Sequence, residues 1–372
     1  MPLVTPRRVA QTVVLVLALL VTIYFLFPKL VGLGDALGKL DEAQPIWIAV
    51  AIGFNVVAYA TYVALFKAVV GGDALRLRWR ETYEINMAGV AATLLFAAGG
   101  AGGIALTYWA LRKAGMRRRD VARRMVAFIT LHYAFYPLAL ILFGILLRTG
   151  VLHGKGSVEL TIIPAAVAGL LLVLGVLIAL IPADLERRLA PFAHGERARA
   201  FLKIAAKVPA TVGEGFRFAL GLFAHPSRGG LAVLGAAGFW AASIGVLWAS
   251  FHAFGVHVPL AVVVQGFFLG MVANLFPLAP AGVGAVDAGM IGAFVLFGLP
   301  EDTVFPAILV FRLIAFWMPI PPGIIAFFQL RKTVQRWEVE GLPVERGGSV
   351  ESDPEPAVGG FAAGGSERYY KK

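Results

Sequence analysis

Apolar residues fall in long blocks along this chain, and polar residues gather between them. Six blocks are long enough to cross a bilayer, which takes about 20 apolar residues. They are 9–27, 45–70, 125–147, 160–181, 231–254 and 304–328. The first follows Arg7 and Arg8, lacks a small-residue cleavage site and ends in Phe27-Pro28, so it reads as a retained anchor rather than a signal peptide. Two further apolar regions are interrupted. Region 85–111 contains the glycine-rich run Gly99 to Gly103, and region 259–298 contains Pro277, Pro280, Gly282 and Gly284. Glycine and proline at that density break a helix, and the flanking pieces are mostly too short to span. Each region is expected to be a hairpin that enters the membrane and returns, a geometry tolerated only where the backbone is buried in protein or faces a cavity.

Composition fixes the class. Apolar residues are 59% and charged residues 15%, against roughly half and a quarter in soluble proteins. Mean hydropathy is +0.80. The expected fold is an all-α polytopic membrane protein, and no cysteine is present to form a disulfide or thiolate site. The net charge of +11 points to topology and anionic headgroups rather than to nucleic acid.

The basic residues orient the blocks. With the N-terminus inside, cytoplasmic segments hold 27 of the 33 Lys and Arg residues and external segments hold 4, Lys29, Lys39, Arg148 and Lys155. Lys67 and Arg312 lie within membrane segments. This asymmetry requires region 85–111 to dip in from the cytoplasm and region 259–298 from outside. A full crossing by the first would put the cluster Arg112 to Arg124 outside, against the positive-inside rule. The expected location is the cell inner membrane, multi-pass, with both termini cytoplasmic.

A shift of 181 residues brings Thr93 to Gly103 onto Asn274 to Gly284. Each unit reads as a full helix, a hairpin with a glycine-rich tip, and a full helix containing a polar residue and then a proline. The units run over about 45–147 and 231–328 and begin on opposite sides, which makes them inverted repeats. The expected membrane domain is 1–330. Between the units, 182–230 is expected to be a cytoplasmic insert with an amphipathic interfacial helix, its Arg199, Lys203 and Lys207 on one side and Phe201, Val208 and Phe216 on the other. Residues 331–372 are expected to be a disordered cytoplasmic tail.

No catalytic constellation, metal site or cofactor loop stands out. Glycines 99–103 and 282–284 lack the strand–helix context of a nucleotide loop. What remains is a set of polar residues at membrane depth: Asn86, Thr93, Thr107 and His132 in the first unit, and Asn274, Asp287 and Arg312 in the second. A charge there costs about 3 kcal/mol or more. Asp287 and Arg312 lie at comparable depths and are expected to meet, either as a structural pair or with Arg312 binding a lipid phosphate while Asp287 orients it. Half-helices that begin near Gly103 and Gly284 would point their free N–H groups toward the midplane and attract anions, with Gly102 and Gly282 beside them in the expected lipid-binding set. Asn274 and His132 complete the expected lipid-binding set.

The motif Pro280-Ala281-Gly282-Val283-Gly284-Ala285-Val286-Asp287 is similar to that of the lysylphosphatidylglycerol synthase transmembrane region, or flippase-like, family. Gly298 to Pro300 and Arg312, before Phe316-Trp317 and Pro319, also resemble that family. The acid is Asp where the family has Glu, and Ala281-Gly282 stands where it has Gly-Gly. The resemblance implies movement, or help in the synthesis, of phospholipid or polyprenyl-linked lipid. Two-part synthases carry a soluble aminoacyl-transferase domain after the membrane region, and 331–372 is expected to be too short for one. The expected function is a lipid flippase-like transporter for an anionic phospholipid, glycolipid or polyprenyl-linked lipid. The alternative is a membrane enzyme or accessory subunit in lipid or polyprenyl-phosphate metabolism. Expected partners are anionic membrane lipids and a separate lipid-modifying enzyme.

Overall fold

The computed structural model describes residues 41–71, 77–95, 101–154, 156–180, 196–272 and 284–339. Helices account for nearly all of them, and no strand occurs among the described residues. In chain order they are α1 (Pro45–Val70), α2 (Trp79–Leu95), α3 (Ala101–Lys113), α4 (Arg118–Arg148), α5 (Val158–Ala179) and α6 (Glu196–Ala224). There follow α7 (Pro226–Ala253), α8 (Leu260–Met271), α9 (Ala285–Leu296), α10 (Glu301–Arg312), a π-helical turn (Leu313–Trp317) and α11 (Ile320–Val339). The proposed anchor 9–27 lies outside the described residues.

Five helical stretches are long and apolar enough to cross a membrane: Pro45–Val70, Arg118–Arg148, Val158–Ala179, Gly229–Ala253 and Glu301–Val339. The outer face of α5 shows why a bilayer must surround them. Leu170, Leu171, Val173, Leu174, Val176 and Leu177 are all exposed, an apolar surface that water would not tolerate at this size.

The helices α1 and α7 form the centre. Glycines let them approach. A Cβ on Gly235 would sit 2.7 Å from the Leu65 backbone nitrogen, and one on Gly238 or Gly245 would sit 2.8 Å from Thr61 or Phe54. Small residues at such spacing replace the hydrophobic driving force that helices lack in lipid. Around this centre the remaining contacts repeat. α2 packs on α3 as α8 packs on α9, α1 on α2 as α7 on α8, and α1 on α4 as α7 on α10. α3 meets α4 as α9 meets α10, and α2 meets α11 as α8 meets α4. α5 and α6 stand outside this scheme and pack against α4.

Both interrupted regions fold back on themselves. In the first, Gly89 faces Thr107, and a Cβ on Gly103 would sit 2.5 Å from the Gly89 carbonyl oxygen. In the second, Gly266 faces Phe294, and a Cβ on Gly270 would sit 2.6 Å from the Met290 Cα. Residues later in one helix thus meet residues earlier in the next, which is antiparallel packing. Gly89 and Gly270 are 181 residues apart and do the same task.

Two boundaries differ from expectation. Residues 331–339, expected in the tail, continue α11. Leu330, Thr333, Val334 and Trp337 recur on one helical face and are buried, and Glu338 meets Lys113 of α3 at 2.7 Å. That face packs on α2, so the apolar period outlasts the apolar run. Residues 340–372 lie outside the described residues. The second difference is the expected straight helix 304–328, which is interrupted just after Arg312 by the π turn. Met318 N–H donates to the Leu313 carbonyl at 3.2 Å, a spacing of five residues.

Candidate functional site

The π turn decides what surrounds Arg312. Pro319 has no N–H, so the carbonyl of Ala315 loses its helical donor. The five-residue spacing likewise draws the Met318 N–H away from Ile314. Both carbonyls are rescued by α1. Asn55 Nδ2 donates to Ile314 O at 3.0 Å, and Tyr59 Oη donates to Ala315 O at 3.3 Å. Asn55 is buried, where an unpaired polar group is costly. The central helix thus holds open a local winding that the sequence alone would not keep.

Arg312, the last residue of α10, reaches α9. Its Nε lies 2.6 Å from Asp287 Oδ1. The other carboxylate oxygen, Oδ2, accepts the Gly284 N–H at 2.8 Å. Gly284 has φ +81° and starts α9, a conformation glycine adopts without penalty. Asp287 lies at the third position of that helix, where a short acid folds back onto the helix start. The start of α9 is therefore partly neutralised by its own aspartate, not left wholly open to an external anion. The Arg312 guanidinium carbon lies 4.9 Å from the Phe316 ring centroid. Its Nη2 is buried without a hydrogen-bond partner among the described residues. The side chains are 14% exposed for Arg312 and 25% for Asp287.

The other expected site residues divide. Gly282 and Asn274 lie outside the described residues. Gly103 is buried where α2 and α3 touch, and an added Cβ would also strike Thr93 Oγ1. Its visible task is helix packing, and Gly102 precedes it in the first turn of α3. His132 is buried in a ring of aromatic side chains: Tyr62, Phe239 and Trp240 lie 5.0, 4.9 and 4.7 Å from it. Its Nδ1 has no partner among the described residues. No hydrogen bond or ion pair joins His132 to Asp287 or Arg312 among the described residues. The structure brings together Asp287, Gly284 and Arg312, and keeps His132 and Gly103 apart from them.

Sequence reasoning passed over three polar residues. Asn55 and Tyr59 are single polar groups in an apolar block, and nothing local marks their targets 259 and 256 residues away. Glu84 is fully buried at its side chain. Its oxygens accept Arg80 Nε at 2.9 Å and Thr333 Oγ1 at 2.6 Å, tying α2 to α11. The Arg80–Glu84 spacing was a visible signal, because that pair recurs on one helical face.

The central helices show a further correspondence. Trp240 of α7 donates its indole N–H to the His132 carbonyl at 2.7 Å, and Tyr59 of α1 donates to Ala315. Tyr59 and Trp240 are 181 residues apart, and each serves a carbonyl shortly before a proline, Pro319 or Pro137. Pro137 shifted by 181 falls one residue short of Pro319. A π turn is a one-residue insertion, so the mismatch measures the insertion next to Arg312.

Two relatives from Methanothermobacter thermautotrophicus, each described as a UPF0104 membrane protein, are similar to this chain. One is 36% identical over 87 residues, covering 23% of this chain and 26% of the relative. The other is 35% identical over 79 residues, covering 21% and 24%. The alignments thus span about a quarter of the curated relatives' length. The family described as the Lysylphosphatidylglycerol synthase TM region matches residues 4–323, and with nearly all the membrane-embedded helices inside that match, the chain belongs to this family.

Proposed function

We propose that the protein is a lipid flippase-like transporter of the cell inner membrane, with both termini cytoplasmic. In this reading it moves a lipid bearing an anionic headgroup through a site centred on Arg312. Six helices cross, counting 9–27, and the pairs α2–α3 and α8–α9 are re-entrant hairpins entering from opposite faces. The repeated packing around α1 and α7 supports two inverted units, and the 27-to-4 division of basic residues supports their orientation.

One observation carries the reading. The scaffold is duplicated but its charge pair is not. At a shift of 181, Asp287 and Arg312 correspond to Leu106 and Leu131. The first unit packs α3 on α4 with leucine at both positions, so that helix packing does not call for an ion pair. A charge kept in the membrane at a cost of about 3 kcal/mol asks for a task other than folding. Arg312 is suited to a phosphate because its planar fork offers two parallel donors. One nitrogen is held by Asp287 and Nη2 has no partner among the described residues. Asp287 fixes the fork and Phe316 supports its face.

The test is reconstitution in vesicles containing phosphatidylglycerol with a fluorescent headgroup, read by loss of signal to an impermeant quencher. Wild type is expected to expose inner-leaflet probe faster than empty vesicles. Arg312→Lys keeps the charge but loses the fork, and should slow exposure while the protein stays folded. An Asp287→Asn/Arg312→Gln double variant should be folded and inactive. Full activity in that double variant would reject the site.

A further inference from the structure

A second cluster of guanidinium groups lies where the N-terminus of α4 meets α6. A pocket of about 620 Å³ opens there between Arg117, Arg119, Arg123 and Arg217, with Asp120, Glu214 and Phe218 completing its wall. Among the described residues of its wall, four are cations and two are carboxylates. The carboxylates are already engaged. Glu214 accepts from Arg119 through Nε at 3.3 Å and also through Nη2, and Asp120 Oδ1 lies 3.4 Å from Arg123 Nη2.

The cluster is built, not merely accumulated. Gly215 of α6 presses against Val126 and the Arg123 carbonyl of α4, and this close crossing sets Glu214, Arg217 and Phe218 opposite Arg119 and Arg123. Phe218 lies beneath the Arg123 guanidinium at 5.4 Å. Arg217 donates Nη1 to the Ala179 carbonyl at the end of α5 at 2.9 Å. Arg123 Nε is buried without a hydrogen-bond partner among the described residues. Arg117 is the residue before α4, whose start has no side-chain cap. The first amides of that helix therefore keep donors for an anion, and its dipole has the matching sign.

We propose that this pocket binds the phosphodiester headgroup of an anionic lipid, at a site separate from Arg312. The shared chemistry of a lipid phosphate and a free phosphate fits the donors equally. The surroundings favour the lipid. Ala179, held by Arg217, is followed by Leu180, which is exposed at 69%, and preceded by the exposed Leu177. From Arg119 to Met125, where the apolar run of α4 begins, is about 9 Å along the helix. A charged pocket with an apolar rim at that height matches an amphiphile at the headgroup level. This site does not depend on transport through Arg312.

The full chain is reconstituted in nanodiscs of phosphatidylcholine, alone or mixed with phosphatidylglycerol. Lipid retained after detergent transfer is counted by native mass spectrometry. Wild type should retain one more phosphatidylglycerol than Arg117→Gln/Arg123→Gln, with binding at that site weakened about 10-fold or more by loss of charge-assisted hydrogen bonds. Arg312→Gln should leave this site's lipid in place, which separates the two sites. Arg117 is exposed, so Arg117→Gln alone serves as a variant safe for folding and should weaken retention several-fold. As a second measurement, hydrogen exchange across 117–124 should slow with phosphatidylglycerol and not with phosphatidylcholine. Equal retention by wild type and both variants would overturn the proposal. Equal protection by inorganic phosphate in phosphatidylcholine discs would overturn the lipid assignment and leave a free-anion site.

Discussion

Arg312 and Asp287 can be tested as a pair without knowing the lipid. Arg312→Gln removes the charge that Asp287 Oδ1 meets at 2.6 Å, yet Asp287 Oδ2 keeps the Gly284 N–H at 2.8 Å. Breaking a fully buried pair costs about 3–5 kcal/mol, and an exposed one about 0–1 kcal/mol. Side-chain exposures of 14% and 25% place this pair toward the buried limit, and the remaining Gly284 contact softens the loss. Arg312→Gln is expected to cost about 2–4 kcal/mol. Asp287→Asn should cost a similar amount, because it strands the guanidinium and weakens the cap of α9. In the double variant no charge is stranded, so the two losses should not add. A coupling of about 2 kcal/mol is expected. The assay is reversible denaturation of the purified protein in mixed micelles, with unfolding followed by tryptophan fluorescence. Additivity of the single variants within about 0.5 kcal/mol would refute the pair. If the double variant were as stable as wild type and still moved lipid, the pair would have neither structural nor functional weight.

Three further outcomes follow from the same contacts. Asn55→Leu should leave the Ile314 carbonyl unpartnered and cost about 1–3 kcal/mol, with hydrogen exchange rising across 313–318; unchanged exchange there would show that Asn55 does not hold the π turn. Glu84→Ala should loosen α11 from α2 by removing the acceptor of the Thr333 hydroxyl, which keeps only the bond it accepts from Arg336, for a loss of about 2–4 kcal/mol in the same denaturation assay, and a loss under about 0.5 kcal/mol would mean water replaces the carboxylate. Single cysteines at Gly115 and Pro300 in the cysteine-free chain should divide in intact cells, with Pro300 labelled by an impermeant maleimide and Gly115 protected. Labelling at Gly115 would defeat the hairpin assignment of α2 and α3.

The sequence disclosed what depends on local chemistry. Helix α1 runs from Pro45 to Val70, the span read from its apolar block, because a bilayer-length apolar run has few other options. The two broken regions were visible for the same reason, since glycine and proline act on the backbone where they stand. Contacts between distant residues were not visible. Nothing near Asn55 indicates Ile314, and nothing near Glu84 indicates Thr333, because one polar residue on an apolar helix names no partner. The π turn had no signature until the repeat was measured against Pro137 and Pro319. The end of α11 was missed because a half-buried helix at the rim of a membrane domain carries charge on its outer face and reads as a polar tail.

In the proposed two-unit reading, what recurs separates from what does not. Features present in both units answer to packing: Gly89 and Gly270 at the helix crossings, Tyr59 and Trp240 feeding carbonyls ahead of a proline, and α1 and α7 as the central pair. Features present in one unit answer to something else. Among the described residues, only the later segment has the acid at the start of its second short helix, α9, the arginine opposite it and the extra residue of the π turn. All three meet within a few ångströms. A one-residue insertion rotates every following side chain by about 100° relative to a regular helix, so it changes which face the helix presents after Arg312 while α1 keeps the segment in place. Removing that insertion is therefore the sharpest separation of the two roles. Deleting Ala315 should restore an α-helical register, with the Ile314 carbonyl then four residues before Pro319 and still dependent on Asn55. It should also move Phe316 from four residues after Arg312 to three, shifting the ring that now lies 4.9 Å from the guanidinium carbon, and abolish lipid movement. A deletion variant that is folded and still active would show that the insertion has no part in the function.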